Sequence, residues 1–410
     1  MSPFNLETCA RPNILALQPY RCARDGLLTL MLCVSDYKDD GKNILLDANE
    51  NAFGPSLTTT NLPSDSLLSS DDFLGLHRYP DPHQEPLKEL LCQLRNTHAH
   101  TSKTLRAENL FCGVGSDEAI DAVLRCFCIP AKDRILTCPP TYGMYAVSAQ
   151  VNDLDIVKVP LLAAPTFGLD VPAIIKTLSE EKDIKVAYFC SPGNPTGSLL
   201  SKDDITQVLN HPTWNGIVVV DEAYIDFSDD SASLAEYVLE FPNLIVMQTL
   251  SKAFGMAGIR LGAAFTSPPI ARLLNSLKAP YNISSPTSAL AQYAVSTGLS
   301  IMRDNRAKIL AQRQRLTEEL PKIAGVGRLR GGVDSNFLLY EMLNAQGEPD
   351  NTVAQAIYTR LAEEKGVVVR FRGKEHGCLG CLRITIGTED EVTRLLASIK
   401  KCLEEVRGSA

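Results

Sequence analysis

The segment Thr249-Leu250-Ser251-Lys252-Ala253-Phe254-Gly255-Met256-Ala257-Gly258-Ile259-Arg260 follows directly on an apolar run, Leu244-Ile245-Val246-Met247. Such a short apolar run emptying into a polar stretch has the pattern of a buried strand and the loop after it. A lysine at that point loses its proton cheaply, because desolvation disfavours the ammonium form. An unprotonated amine is what a Schiff base with an aldehyde requires. Ser251 and Arg260 add a hydroxyl and a fixed positive charge, suited to a phosphate ester on the same aldehyde-bearing molecule. Taken alone, these residues equally describe an ordinary surface lysine in a strand-to-helix loop. The remainder of the chain has to decide.

At 410 residues the chain is too long for one simple core, so two or three domains are expected. Its composition is that of a globular enzyme. A net charge of -8 argues against a general nucleic-acid binder. Twelve cysteines without regular spacing, and no signal peptide before them, point to free thiols in a reducing cytosol. No apolar run reaches the length of a membrane span. Residues 1–45 read as an arm packing with a small domain, interrupted by prolines at Pro12 and Pro19. Leu57 to Asp72, rich in Ser, Thr and Asp, reads as an exposed insertion loop. A helix is expected from Glu85 to Leu94.

From Asn109 onward strand-like and helix-like runs alternate. The strand candidates are Ile135–Cys138, Ile156–Val159, Val186–Cys190, Ile217–Val220, Leu244–Thr249 and Leu261–Phe265. Strands apolar on both faces, separated by helical patterns, indicate a mostly parallel sheet covered by helices. A large domain over 46–280 follows. After Pro280 a long helical stretch around Ser288–Glu319 leads to strand candidates Asn336–Tyr340, Val367–Val369 and Leu382–Ile386. A charged helix from Glu389 to Arg407 closes the chain. Residues 281–410 thus read as a smaller α+β domain.

In open parallel sheets, ligands sit beyond the carboxyl ends of the strands. Ile217-Val218-Val219-Val220 runs into Asp221-Glu222-Ala223-Tyr224. A carboxylate there is costly without a cationic partner, and a pyridinium nitrogen is one. The aldehyde, the phosphate and the pyridinium together specify pyridoxal phosphate. Ser191-Pro192-Gly193-Asn194-Pro195-Thr196-Gly197 offers the Asn194 amide to the ring oxygen, with the Tyr224 hydroxyl as a second donor. Gly113-Val114-Gly115-Ser116-Asp117-Glu118 opens an apolar-periodic helix whose free amides can cradle a phosphate. Tyr142, in Pro139-Pro140-Thr141-Tyr142-Gly143, can stack on an aromatic ring. Individually these are also an N-cap aspartate, a turn, a helix cap and a core tyrosine.

Taken in order, G-V-G-S-D-E, P-P-T-Y-G-M-Y, S-P-G-N-P-T-G, V-V-V-D-E-A-Y and L-S-K-A-F-G-M-A-G-I-R resemble a fold-type I PLP-dependent aminotransferase. More narrowly, the chain resembles the histidinol-phosphate aminotransferase family from about Arg11 to Val406. P-Y-R-C-A-R at Pro19 to Arg24, L-D-A-N-E-N-A-F-G from Leu46, R-Y-P-D-P from Arg78 and the pair Arg370 and Arg383 carry that narrower likeness. The resemblance implies that Lys252 holds the cofactor aldehyde and serves as general base, and that Asp221 pairs with the pyridine nitrogen. It places Asn194 and Tyr224 at the ring oxygen and Tyr142 on the ring face. Gly115, Ser116, Ser251 and Arg260 would hold the phosphate, joined by Tyr79 from the neighbouring subunit of a homodimer, and Asp117 is a further cofactor-binding residue. Tyr20, Asn336, Arg370 and Arg383 would line the substrate side. The implied reaction exchanges an amino group between histidinol phosphate and 2-oxoglutarate, yielding imidazole-acetol phosphate and glutamate. An aromatic aminotransferase or an O-phospho-amino-acid decarboxylase is the alternative.

Two features stand apart. Gly26 to Ser35 is an apolar stretch where the family runs almost directly from Arg24-Asp25 to a segment like Asp36-Tyr37-Lys38. Cys378-Leu379-Gly380-Cys381, with His376 nearby, has metal-ligand spacing on one side only, whereas a structural zinc site needs four ligands. No metal is expected.

Overall fold

The computed structural model describes residues 2–18 and 76–408. Tyr20, the Gly26–Ser35 stretch, the motif from Leu46 and the Leu57–Asp72 loop lie outside the described residues. Among the described residues seven strands form the main sheet: β1 (Leu110–Val114), β2 (Arg134–Thr137), β3 (Asp155–Lys158), β4 (Ile184–Cys190), β5 (Ile217–Asp221), β6 (Leu244–Thr249) and β7 (Leu261–Thr266). Their spatial order is β1-β7-β6-β5-β4-β2-β3. Only β7 runs antiparallel to its neighbours. The central strands β5, β6 and β7 are buried at every position, which is why they read as continuous apolar runs and not as alternating ones.

Helices cover both faces. The first two, α1 (Leu6–Cys9) and α2 (Pro12–Leu15), come from the arm. Then follow α3 (Glu85–Arg95), α4 (Gly115–Phe127), α5 (Met144–Val151), α6 (Val171–Glu180), α7 (Lys202–Leu209) and α8 (Pro268–Leu277). In α4, Ile120, Val123, Leu124 and Phe127 are buried at helical spacing against the sheet. The described part of the arm does not pack with the small domain as expected. Cys9, Ala10 and Ile14 insert into the core formed by α4, α8 and one face of the main sheet. The Arg11 N–H bonds the Cys126 carbonyl at the end of α4. The short α1 and α2 have too few apolar residues for a core of their own, so they complete the one beside them.

The expected long helix at Ser288–Glu319 is two helices, α9 (Ser285–Val295) and α10 (Leu299–Glu319). Ser296 leaves helical geometry and the Gly298 N–H turns back to the Tyr293 carbonyl. The break lets α9 send Ala291 and Val295 into the main-sheet core, so the residues just after 280 belong physically with the large domain. A separate core begins at Leu316 and is built on a second, antiparallel sheet of order β10-β11-β9-β8. Its strands are β8 (Val326–Leu329), β9 (Phe337–Met342), β10 (Arg370–Phe371) and β11 (Cys381–Thr385). The helices α11 (Asn351–Glu363) and α12 (Glu389–Gly408) cover it. Val367 to Val369 is not a strand. Val368 is 78% exposed, and pairing starts only at Arg370, opposite Arg383.

Candidate active site

The carboxyl ends of the parallel strands converge on one cleft. It encloses about 600 Å³, part of it open to solvent, and is lined by Ser116, Asp117, Tyr142, Asn194, Asp221, Tyr224, Ser251, Lys252 and Arg260. Those nine were expected; Cys190, Ala223, Thr249 and Ala257 complete the wall. They follow the ends of β1, β2, β4, β5 and β6, with Arg260 just before β7, so the sheet order gathers segments far apart in sequence.

Asp221 ends β5, buried to 2% exposure. Its Oδ2 accepts from the Tyr145 hydroxyl at 2.7 Å and its Oδ1 from the Ala223 N–H at 3.1 Å. Burial raises its pKa to about 6, against the pull of those two donors. Its neighbour Glu222 points the other way and is satisfied by Ser233, the Leu234 N–H and Gln248. Of the two adjacent acids, only Asp221 faces the cleft.

Lys252 stands in the turn after β6, with its Nζ 5.6 Å from the centre of the Tyr224 ring. Partial desolvation lowers its pKa, and the Arg383 guanidinium lowers it further. Thr249 Oγ1 receives the Ser251 N–H and donates to Ser251 Oγ at 2.9 Å, fixing the hydroxyl beside the lysine. Tyr224 is buried and packs edge-on against Phe337 at 5.0 Å.

The phosphate-type corner lies at the start of α4. Gly115 has φ +72°, and a Cβ there would meet the Arg260 guanidinium at 2.7 Å. A Cβ on Gly262 would meet the Gly115 carbonyl carbon and the Ser116 nitrogen at 2.4 Å. Two glycines thus allow β7, Arg260 and the first turn of α4 to close together. Arg260 is itself in left-handed geometry, at φ 54°, and lies 3.5 Å from Asp117. Tyr142 donates to Asp117 at 3.2 Å.

From the small domain, Arg383 Nη1 donates to Asn194 Oδ1 at 2.5 Å while its guanidinium lies 5.1 Å from the Phe337 ring centre. Arg370 is exposed and pairs in register with Arg383. Asn336 is half-buried, one residue before Phe337, and its carbonyl receives the Ile386 N–H. Tyr79 is not in this cleft. It is 53% exposed and stacks on Tyr281 with ring centres 4.6 Å apart.

Tyr145 was not singled out from the sequence. It is the second tyrosine of P-P-T-Y-G-M-Y, one helical turn after Tyr142, and that i,i+3 spacing is the signal that was there to find. It stacks on Tyr188 at 4.7 Å and meets Tyr142 edge-on at 5.6 Å, which holds its hydroxyl on Asp221.

The donor set fits pyridoxal phosphate. Among the described residues the hydrogen-bond partners of buried Asp221 are neutral, so a cationic ring nitrogen would relieve its cost of burial. Ser116, Ser251, Arg260 and the glycine-lined turn suit a phosphate at the opposite end of the cleft.

A family profile described as "Aminotransferase class I and II" matches residues 30–399. Histidinol-phosphate aminotransferase of Schizosaccharomyces pombe is 51% identical over 98% of this chain and 98% of its own. That of Candida maltosa is 48% identical over 98% of this chain and 99% of its own. Among solved structures, histidinol-phosphate aminotransferase from Sinorhizobium meliloti in complex with pyridoxal-5'-phosphate superposes with a TM-score of 0.70. That match covers 88% of this chain and 90% of the other at 22% identity, a likeness of fold.

Proposed function

The chain belongs to the histidinol-phosphate aminotransferase family of class I and II aminotransferases, has their fold-type I architecture and is a PLP-dependent transaminase; on that premise we propose that it moves the amino group of L-histidinol phosphate to 2-oxoglutarate. The products are imidazole-acetol phosphate and L-glutamate, a step of histidine biosynthesis. The observation that carries the substrate assignment is the Arg370–Arg383 cross-strand pair, of which Arg383 bonds Asn194, a wall residue of the cleft that holds Lys252. Two guanidinium groups at adjacent strand positions suit a dianionic phosphate ester better than a single carboxylate does.

When bound, pyridoxal phosphate supplies an electron-withdrawing ring that stabilises the charge left on a substrate carbon after proton loss. Asp221 would hold the ring nitrogen in its protonated form. Asn194 and Tyr224 would donate to the ring oxygen, and Tyr142 would cover the ring face. Gly115, Ser116, Ser251 and Arg260 would form the phosphate corner, with Asp117 beside it holding Arg260 and the Tyr142 hydroxyl. Lys252, whose lowered proton affinity suits an amine that must work unprotonated, would take the proton from the amine-bearing carbon. Asn336, Arg370 and Arg383 would receive the substrate.

The proposed assembly is a homodimer in which Tyr79 reaches the partner's phosphate corner, in keeping with its exposure at a distance from its own cleft. The proposed compartment is a reducing one, the cytoplasm. Ten cysteines among the described residues are unpaired and buried, and no described helix is long and apolar enough to cross a membrane.

The test is a comparison of kcat/KM for histidinol phosphate and for phenylalanine on purified holoenzyme. The phosphate ester should be preferred by about 100-fold or more, the discrimination expected from charged groups that only one substrate satisfies. Equal values, or a preference for phenylalanine, would overturn the assignment of substrate.

A further inference from the structure

The β10–β11 ladder carries more positive charge than the two arginines already named. Arg370 pairs with Arg383 and Phe371 with Leu382. The ladder extends one residue further, where the Arg372 N–H bonds the Cys381 carbonyl at 2.9 Å. Cross-strand partners share a face, and so do residues two apart on one strand. Leu382 and Phe371 pack into the small-domain core, whereas Cys381 and Leu339 join the large-domain core. Arg370, Arg372 and Arg383 therefore all rise on the face turned toward the large domain.

Arg372 is partly buried, with its Nη1 held 2.7 Å from Glu375 Oε1. The Nε atoms of both Arg372 and Arg383 are buried without a protein acceptor among the described residues. A buried guanidinium N–H is costly unless an anion takes it. Arg372 is also the leading charge acting on Arg383, and its field reaches the Tyr224 hydroxyl in the cleft.

We propose that Arg372 is a specificity-determining residue of the substrate pocket, completing with Arg370 and Arg383 a receptor of three guanidinium groups that selects a phosphate dianion over weaker anions. Glu375 orients the Arg372 fork and cancels one charge, so the receptor presents a net double positive charge to a doubly negative ligand. The inference rests on the proposed function, and it deepens that reading by adding a residue the two-arginine pattern does not contain.

The experiment measures kcat/KM of holoenzyme for histidinol phosphate and for histidinol, the same amine without the phosphate, together with competitive inhibition by inorganic phosphate. In Arg372→Gln the preference for the phosphorylated amine should fall by about 10-fold or more, the scale of one charge-assisted hydrogen bond. Turnover of histidinol should hold within about 2-fold, and phosphate should inhibit correspondingly less. Arg372→Lys should recover part of the preference, since it keeps the charge and loses the fork. Glu375→Gln should tighten phosphate inhibition by removing the cancelling charge. An unchanged preference in Arg372→Gln, or an equal fall for both amines, overturns the proposal. If wild-type enzyme ignored histidinol phosphate altogether, the proposed function would fail, while phosphate binding, read from the cofactor's absorbance, would still report on Arg372.

Discussion

Lys252 and Asp221 face the same cleft with opposite electrostatic handicaps. The lysine is pushed toward its neutral form and the aspartate toward its protonated form, each by loss of water. Lys252→Arg keeps a cation but removes a base that works unprotonated, so kcat for transamination should fall by about 10³-fold or more, with the protein still folded by circular dichroism. Normal turnover by that variant would remove the basis for the assignment. For Asp221 the sign follows from a folded-state pKa raised from 3.8 to about 6. In cofactor-free protein its contribution is favourable below about pH 4 and is lost as pH rises through about 6, leaving a cost of about 3 kcal/mol above that. Cofactor-free Asp221→Asn should therefore melt higher than wild type at pH 8 and alike at pH 4, while binding pyridoxal phosphate more weakly at pH 8. Thermal melts with and without cofactor at the two pH values check this, and a lower melting temperature at pH 8 would contradict it.

Among the elements, legibility followed burial. The strands β4, β5, β6 and β7 are apolar on both faces and could be placed within two residues, because a doubly covered sheet leaves no polar alternation to confuse the pattern. The site residues at their ends came with them. β1 was not separated from the approach to α4, since Cys112-Gly113-Val114 already reads as the glycine turn. β8 is a short edge strand with one buried residue, Val326, so its sequence carries no periodic signal. The register of Arg370 with Arg383, and with it the position of Arg372, depends on a pairing between distant segments that no local pattern encodes. The spacing of Tyr145 from Tyr142 is a local trace, but its partner Asp221, 76 residues away, has none. Close packing between elements yields a prediction at this scale. A Cβ on Gly262 would stand 2.4 Å from the backbone of Gly115 and Ser116, which cannot yield as a side chain would. Gly262→Ala should destabilise the protein by about 1–3 kcal/mol and loosen cofactor binding, as read from urea midpoints and cofactor titration. A variant with wild-type midpoint and affinity would show that β7 and α4 are not held in that contact.

At the scale of the whole molecule, the cleft draws on both domains, yet Tyr79 stands outside it. The tyrosine is 53% exposed and stacks on Tyr281, which follows α8 at the border of the large domain. An exposed tyrosine held in place by a half-buried one is the kind of surface a second copy covers. If Tyr79 serves the partner's phosphate corner, Tyr79→Ala and Lys252→Ala should each be poorly active alone and complement when mixed. A hybrid dimer has one site that carries both defects and one that carries neither. Random exchange of subunits makes half the dimers hybrid, so activity should recover to about one quarter of the wild-type value per chain. If Tyr79 acted within its own chain, each site of the hybrid would keep one defect and mixing would restore nothing. Sedimentation of the same mixtures shows whether dimers form, so absence of recovery in a confirmed hybrid population would reject a site shared between subunits.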